Sequence, residues 1–150
     1  MSDRKDFLGA TDIAPLLGWS PHKTPYELWL EKTGRAEPKP PSLWMELGTV
    51  LQPKVLELAT TQIGEIQPGG EWAIASTPIR CHPDGVTPQT QPVEAKTVWT
   101  PVREGWGEGP EDIPWPYLVQ CAIQLEATKA EVCHVPVLFV AAQEFRMYQV

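Results

Sequence analysis

The sequence predicts an α/β fold in which helices flank a mixed central β-sheet. Three early segments, over residues 11–18, 24–34 and 42–63, carry helix start signals or apolar side chains at helical spacing. Runs of β-forming residues follow, then an amphipathic stretch over 113–128 and two final β-type runs. This order, α–α–α–β–β–β–α–β–β, favours a sheet that is covered by helices.

Size and composition predict one domain over residues 1–150. Of the 150 residues 42% are hydrophobic, so the chain can bury a sizeable core. No apolar run approaches the ~20 residues that span a bilayer, and the first residues lack the apolar core of a signal peptide. We therefore expect a cytoplasmic protein. A predicted strand is still running at Val150, which leaves open that the domain continues beyond it.

The charge balance restricts how the chain could bind nucleic acid. Its 12 Lys and Arg residues stand against 19 Asp and Glu residues, which gives a net charge of −7. Because DNA binding is usually driven by basic surface, tight and non-specific binding of a duplex by a lone monomer is not expected.

The three cysteines predict free thiols. Cys81, Cys121 and Cys133 are odd in number and show no Cys-x-x-Cys spacing, which argues against a disulfide framework or a metal site. Three cysteines also fall short of the four that hold an iron–sulfur cluster.

The first two helices are predicted from the residues that begin and end them. Thr11 is predicted to cap a short helix that ends at Gly18 and whose apolar face carries Ile13, Leu16 and Leu17. In the second helix Thr24 is the predicted cap, Pro25 takes the first helical position and Glu27 completes a capping box. We expect the second helix to end at Gly34 and to pack through three side chains: Tyr26, Trp29 and Leu30.

The third helix is predicted over residues 42–63, with Gly64 as its end. Its apolar side chains recur at helical spacing. Pro53 lies inside this pattern and should bend the helix, because it lacks the N–H that would bond one turn back.

A hairpin is predicted around residues 80–98. Two β-type runs, over 77–82 and 92–98, flank a turn that is rich in Pro, Gly, Gln and Thr, and a strand over 71–76 is expected to pair with the first run. Side chains alternate along a strand, so Glu94 and Lys96 should share one face. Asp84 could reach the same face if the hairpin closes.

Two carboxylates and one ammonium at this place suit a hard divalent cation. Mg²⁺ or Mn²⁺ prefers oxygen ligands and is often held by one or two carboxylates plus substrate phosphate. Asp84 and Glu94 could supply the carboxylates, and the main-chain carbonyl of Ala95 a third ligand. Lys96 could position water or help to deprotonate it, and offset charge on phosphate. The alternative is a surface hairpin with a solvated Glu-x-Lys pair.

The last helix, over 113–128, has one polar face and one apolar face. The predicted polar face carries Tyr117, Gln120, Gln124 and Thr128. The side chains expected to face the core are Leu118, Cys121 and Leu125. Before this helix, Trp99 and Trp106 flank or occupy a Gly- and Glu-rich loop, where they could stack on a frayed base or, as we favour, pack against the core.

The spacing of the hairpin residues resembles a nuclease signature. Pro83-Asp84, nine intervening residues and Glu94-Ala95-Lys96 are similar to the pattern of the PD-(D/E)XK nuclease superfamily. More narrowly, the chain resembles the YqaJ-type viral recombinase family, which includes lambda exonuclease, from about Arg4 to Val150. The segment from Ser20 to Gly34 closely resembles a stretch that is quite specific to this family. The resemblance implies a restriction-endonuclease-like PD-(D/E)XK core.

The resemblance also implies roles for further residues. Gln120 matches the family's active-site glutamine and Tyr117 its neighbour, although a solvated helix face is the alternative for Gln120. Arg4 and Thr11 occupy positions implicated in holding the DNA 5′ phosphate, although Thr11 could simply cap its helix. Tyr117 is also expected to bind DNA or its 5′ phosphate. The second glutamine of the family's helix is Ala122 here.

The main departure from the family pattern is at Gln52. In Gly48-Thr49-Val50-Leu51-Gln52-Pro53, a glutamine stands where the family has a metal-binding glutamate. An amide brings no negative charge, so we expect Gln52 to be a weak or outer ligand and metal binding to be weaker. Glu46 and Glu57 lie well round the helix and are not clean substitutes.

By resemblance, the expected function is a metal-dependent deoxyribonuclease of phage-recombination type. It would digest double-stranded DNA ends from 5′ to 3′, with a phage single-strand annealing protein as partner and a ring-shaped homo-oligomer as assembly. Two alternatives remain open: a nicking or restriction-type endonuclease, and a catalytically weak DNA-end-binding protein in which Gln52 limits the metal site.

Overall fold

The computed structural model describes residues 5–37, 39–100 and 105–150. Four helices lie in these residues: α1 Ala10–Leu16, α2 Pro25–Lys32, α3 Leu43–Ile63 and α4 Trp115–Thr128. Nine short strands complete the described elements: β1 Leu8–Gly9, β2 Gln67–Pro68, β3 Trp72–Ala73, β4 Ile79–Cys81, β5 Gly85–Val86, β6 Pro92–Val93, β7 Lys96–Val98, β8 His134–Phe139 and β9 Glu144–Gln149. The mixed α/β architecture is the one that the sequence predicts.

The strands form two sheets. In the smaller sheet, β4 pairs in parallel with β1 and antiparallel with β3. The larger sheet has β8 at its centre, antiparallel to β9 on one side and parallel to β6 and β7 on the other. Beyond β6 the larger sheet continues through β5 to β2. The two strands predicted at the end of the chain are confirmed as β8 and β9.

Strands β6 and β7 are two parts of one interrupted strand. Both keep the same register against β8, as the following pairs show: Val93 with His134, and Lys96 with Val137. That register brings Ala95 past Pro136, which has no N–H to donate and therefore interrupts the ladder. The interruption lies in the middle of the sheet, where Glu94 and Ala95 pass from β6 to β7.

The predicted hairpin is wrong in its first strand. The run over 77–82 becomes β4, which belongs to the smaller sheet, where its pairing with β3 agrees with the prediction. The hairpin partner of β6 is instead β5, Gly85–Val86. Pro83 ends β4 because it has no N–H for the ladder, and the chain then crosses to the larger sheet. Gly85 permits this crossing, since a Cβ atom there would lie 2.3 Å from Cγ2 of Ile66.

Helix α2 begins as predicted but packs differently. Thr24 is its N-cap, Pro25 its first residue, and Glu27 completes the capping box. Two of the three predicted contact residues are wrong, since Tyr26 is 66% exposed and Trp29 44% exposed, while Leu30 is half-buried. The most buried side chain of the helix is that of Leu28, which is only 2% exposed. The apolar residues of this short helix did not show which of its sides faces inward, because that depends on the elements that pack against it.

Helix α1 begins two residues earlier than a Thr11 cap would require. Gly9 is the N-cap, and its N–H donates to Oδ2 of Asp12 over 2.8 Å, so Thr11 lies exposed in the first turn. Oδ2 of Asp12 also pairs with Nζ of Lys32 at 2.6 Å, which ties α1 to α2. Leu16 and Leu17 are exposed rather than part of an apolar face.

Helix α3 has the predicted extent, from the Ser42 cap to Gly64, with Pro53 inside it. Its buried side chains are Val55 and Ala59, in the C-terminal half. The apolar side chains nearer the N-terminus, Leu43, Met45 and Val50, are exposed. Only one side of α3 packs against the sheet, and the core covers only part of the length of the helix.

The main core lies between α4 and strands β8 and β9. Trp106 packs there, with its ring centroid 5.4 Å from that of Tyr117, 5.9 Å from Phe139 and 5.1 Å from Tyr148. The favoured core position of Trp106 is thus confirmed. Within the described residues, no helix combines the length and the apolar character needed to cross a membrane.

Candidate active site

The candidate site lies in an open cleft at the interruption between β6 and β7. The cleft has a volume of about 1230 Å³ and is bordered by α3 on one side and the start of α4 on the other. Its lining includes Gln52, Asp84, Glu94, Ala95, Lys96 and Tyr117. The sheet break therefore exposes polar groups in a place that would otherwise be the middle of a continuous ladder.

Asp84 lies between β4 and β5, with both carboxylate oxygens hydrogen-bonded. Oδ2 accepts the main-chain N–H of Ala95 over 2.8 Å, and Oδ1 accepts Nε2 of Gln52 over 2.6 Å. Burial, together with the nearby charge of Glu94, raises the pKa of Asp84 to about 7, although the Ala95 N–H and Lys96 act in the opposite direction. The site thus concentrates more negative charge than its own donors balance.

Glu94 is 5% exposed, and three side chains hold its carboxylate. Oε1 accepts Nζ of Lys96 over 2.7 Å and Nε2 of Gln120 over 2.5 Å. Oε2 accepts Nε2 of Gln124 over 2.5 Å. A carboxylate offers about four acceptor positions, so one position on Oε2 stays available for a further ligand.

Lys96 is held by groups from its own strand and from α4. Its Nζ atom lies 2.7 Å from Oε1 of Glu94, 3.0 Å from Oε1 of Gln120 and 4.7 Å from the centroid of the Tyr117 ring. Burial alone would lower the pKa of Lys96, but the charge and hydrogen bond of Glu94 outweigh it, and the pKa is raised above its ordinary value. Lys96 is therefore an ammonium that can donate hydrogen bonds and offset negative charge.

Most of the residues predicted from the sequence lie together here. Asp84, Glu94 and Lys96 converge, with Gln52 on one side and Gln120 on the other. Ala95, which directly follows Glu94 in the sequence, also lines the cleft, and its N–H is already bound to Asp84. Tyr117 supplies the ring next to Lys96.

Of the three residues predicted to bind DNA or its 5′ phosphate, Tyr117 lies in this group. Thr11 is exposed on α1 and is not among the described residues that line the cleft. Arg4 lies outside the described residues.

Gln124 is the site residue that sequence reasoning did not assign. The polar face predicted for α4 is in fact buried against the site, because Gln120, Gln124 and Thr128 are all buried. Residues four apart on a helix lie one above the other, so the spacing of Gln120 and Gln124 was the available signal. Ala122, which occupies the family's second glutamine position, is exposed.

The donor set fits one hard cation. Among residues 5–37, 39–100 and 105–150, no group of three or more His, Cys, Asp or Glu side chains could hold a metal ion. Two carboxylates with a neighbouring main-chain carbonyl are nevertheless a common set for Mg²⁺, which keeps several waters. A cation in this part of the cleft would lie close to both carboxylates, and its charge would offset theirs.

Two pairs of indole rings stand at the rim of the cleft. Trp44 of α3 and Trp99, just after β7, have ring centroids 5.5 Å apart. Trp19, just after α1, and Trp115 of α4 are 5.7 Å apart. Trp19, Trp44 and Trp99 are among the described residues that line the cleft, so aromatic rings form a large part of its described lining.

Comparisons with known proteins agree with this fold. The structure is similar to that of an alkaline exonuclease (LHK-Exo) from Laribacter hongkongensis, with a TM-score of 0.71 and 15% sequence identity over 98% of this chain and 78% of that one. The crystal structure of LHK-Exo in complex with dAMP gives a TM-score of 0.72 and 17% identity with the same coverage. At such identities the likeness shows the fold, which confirms the predicted PD-(D/E)XK core.

The family resemblance is confirmed by the sequence itself. No curated protein matches the chain. Residues 1–131, however, match the YqaJ-like viral recombinase domain, which is most of the 150 residues. The protein therefore belongs to the family of YqaJ-like viral recombinase domains.

Proposed function

We propose that the protein is a metal-dependent deoxyribonuclease that digests double-stranded DNA from 5′ to 3′ and hydrolyses phosphodiester bonds. The observation that carries this proposal is the convergence of Asp84, Glu94 and Lys96 in one open cleft. Membership of a viral recombinase family and a fold shared with an alkaline exonuclease both support it.

Asp84 and Glu94 are the proposed ligands of Mg²⁺ or Mn²⁺, together with the main-chain carbonyl of Ala95. Gln52 would act as a weak or outer ligand, since its amide now bonds to Asp84. A bound divalent cation polarises phosphoryl oxygens and lowers the pKa of water. The chain would bind one ion tightly in preference to two, because the described site offers only two carboxylates.

The remaining side chains would act on the phosphate and on the attacking water. Lys96, charged and held by Glu94 and Gln120, would donate to a non-bridging phosphate oxygen and offset the charge that builds there. Gln120 would keep Lys96 and Glu94 in register, since its amide oxygen and nitrogen bond to one each. Tyr117 would limit the movement of the ammonium by covering one side of it.

Further features rest on the family resemblance and are part of the proposal. Arg4 and Thr11 would contact the 5′ phosphate, and the exposed position of Thr11 leaves its hydroxyl accessible. A phage single-strand annealing protein would be the partner, and a ring of several copies would enclose the DNA. A ring suits an acidic chain of net charge −7 only if its basic side chains line the channel.

A second candidate is a DNA-end-binding protein with little catalytic activity. It is favoured by one observation, the hydrogen bond from Gln52 to Asp84, in which an amide donor takes the place of a third carboxylate. Such a protein would bind linear duplex but leave it intact in Mn²⁺.

The test is digestion of a 5′-phosphorylated linear duplex in Mg²⁺ and in Mn²⁺, compared with the 3′-phosphorylated and closed circular forms. We expect mononucleotides from the 5′ ends, no cutting of the circle, and loss of activity in Lys96→Met. Lys54→Met is the matched control, because Lys54 is exposed on α3 and pairs only with Glu57 in the described contacts.

Each alternative has its own outcome. Nicks in the circular DNA would indicate an endonuclease, and binding without digestion would indicate the end-binding protein. Digestion that survives Lys96→Met would contradict the assigned site.

A further inference from the structure

We propose that Gln124 is a positioning residue for Glu94, and that the Cys133 thiol sets the orientation of its amide. This inference rests on the proposed function, since Glu94 is there a metal ligand. Gln124 is fully buried in α4, with 0% exposure. Its Nε2 atom donates to Oε2 of Glu94 over 2.5 Å.

The thiol of Cys133 determines which way the amide of Gln124 faces. Sγ of Cys133 lies 3.5 Å from Oε1 of Gln124 and can donate to it. A hydrogen bond with Cys121, burial and the nearby Glu94 raise the pKa of Cys133, so the thiol keeps its proton. With a donor at Oε1 and a carboxylate at Nε2, only one orientation of the amide satisfies both ends.

Gln120 and Gln124 together form a two-armed clamp on Glu94. They lie four residues apart, so both amides project from the same face of α4. Gln120 donates to Oε1 and Gln124 to Oε2 of the same carboxylate. Two donors on different oxygens fix the plane of the carboxylate, which one donor cannot do.

The consequence for the site is that Oε2 keeps one free acceptor position in a fixed direction. Among the contacts of residues 5–37, 39–100 and 105–150, Oε1 accepts from Lys96 and Gln120, while Oε2 accepts from Gln124 alone. Without Gln124, only the two bonds to Oε1 would remain, and Oε2 could swing about them instead of pointing in one direction. Removing a group that orients a metal ligand typically lowers metal affinity or activity by about 10–100-fold.

The test compares Gln124→Met with Thr128→Val, in proteins whose cooperative unfolding in EDTA has first been established. Methionine keeps the length of the side chain and removes its amide. Thr128 is buried one turn further along the same face, but its hydroxyl bonds to the main-chain carbonyl of Gln124 and not to Glu94. Mn²⁺ binding is measured by calorimetric titration of the metal-free protein, and kcat and KM are measured on linear duplex.

We expect Gln124→Met to weaken Mn²⁺ binding by about tenfold or more and to lower kcat with KM for DNA unchanged. Thr128→Val should lose stability only. In the Glu94→Gln background, Gln124→Met should have no further effect on Mn²⁺ binding. Cys133→Ser, which keeps a donor, should bind Mn²⁺ more tightly than Cys133→Ala.

Two failures can be told apart. If Gln124→Met binds Mn²⁺ within twofold of wild type and turns over DNA at the same rate, Gln124 is a structural residue only and the inference is wrong. If the wild-type protein itself neither binds Mn²⁺ nor digests DNA, the proposed function fails and this inference fails with it.

Discussion

Nε2 of Gln52 donates a 2.6 Å hydrogen bond to Oδ1 of Asp84, at the position where the family pattern has a glutamate. The chain therefore balances the buried Asp84 carboxylate with an amide instead of placing a third carboxylate beside it. A neutral partner lowers the repulsion within the metal-free site, and it also removes one charged ligand.

Restoring the family glutamate should strengthen metal binding. We expect Gln52→Glu to bind Mn²⁺ about tenfold more tightly or better, because an additional carboxylate would face the cation. The same change should destabilise the metal-free protein, because the introduced carboxylate would lie beside that of Asp84 and would have no proton to donate to it. Calorimetric titration with Mn²⁺ and thermal unfolding in EDTA measure the two effects.

Gln67→Glu is the matched control for this substitution. Gln67 is exposed in β2 and also bonds to a carboxylate, that of Glu65, over 3.0 Å. Its replacement should change neither Mn²⁺ affinity nor stability by much. Equal Mn²⁺ affinity in Gln52→Glu and wild type would show that position 52 does not face the cation.

Removing the Lys96 ammonium should destabilise the protein as well as inactivate it. Lys96 and Glu94 form a buried ion pair, with side chains 17% and 6% exposed. Breaking such a pair leaves an unpaired buried charge, which typically costs about 3–5 kcal/mol. We expect Lys96→Met to lose stability of this order in urea unfolding, and Glu94→Gln combined with Lys96→Met to recover much of it. If the double variant is no more stable than Lys96→Met, the cost lies in packing and not in the charge.

The ion pair between Asp12 and Lys32 should matter far more than a similar pair on the surface. Asp12 is buried, caps α1 through Gly9 and pairs with Lys32 at 2.6 Å. We expect Asp12→Ala to cost about 3 kcal/mol or more, from the lost cap and the broken ion pair. Glu31→Ala should cost at most about 1 kcal/mol, because the Glu31 pair with Lys23 is exposed. Comparable losses in the two variants, measured by chemical unfolding, would contradict this order.

His134 should make the folded protein sensitive to mild acid. Burial lowers the pKa of His134, and its Nε2 atom lies 2.9 Å from Oε1 of Gln91, while Nδ1 has no hydrogen-bond partner in the described part of the chain. As the pH falls below about 6.5 the unfolded chain takes up a proton first. The contribution of His134 to stability is therefore present above this pH and is lost as the pH falls, with a limiting slope of about 1.4 kcal/mol per pH unit. Asp84, whose pKa is raised to about 7, contributes in the opposite direction over the same range, so the effect of His134 is the difference between the slopes of the variant and the wild type.

His134→Gln should remove this acid-dependent loss, because a glutamine amide can still donate to Gln91 but does not titrate in this range. Chemical unfolding between pH 7 and 5 measures the slope for each variant. His22→Gln, at an exposed histidine, is the control and should keep the wild-type slope. An unchanged slope in His134→Gln would show that other groups cause the acid dependence.

Local sequence signals predicted the elements and much of the site. Thr24, Pro25 and Glu27 start α2 as expected, because capping depends on residues within one helical turn. Glu94 and Lys96 share a contact because strand alternation alone puts residues two apart on the same side. The short spacing from Asp84 to Glu94 likewise brought both carboxylates to one cleft, although through a different hairpin.

Features that depend on distant neighbours were predicted less well. The outward position of Tyr26 and Trp29, and the inward one of Leu28, follow from what packs against α2 and not from its own pattern. The polar face of α4 was predicted, but its burial opposite a carboxylate was not, because a sequence does not show which group stands opposite a helix face. Gln124 was missed for that reason.

The fold class, the family and the grouping of Asp84, Glu94 and Lys96 could all be inferred before any coordinates, since each depends on local spacing. Packing, in contrast, established that Pro136 interrupts the central ladder beside Ala95, where the cleft opens. Packing also established that Gln52 and Gln124 each face a carboxylate. These two contacts join residues about 30 positions or more apart, and their distances are set by the way helices pack on the sheet, which no local pattern encodes.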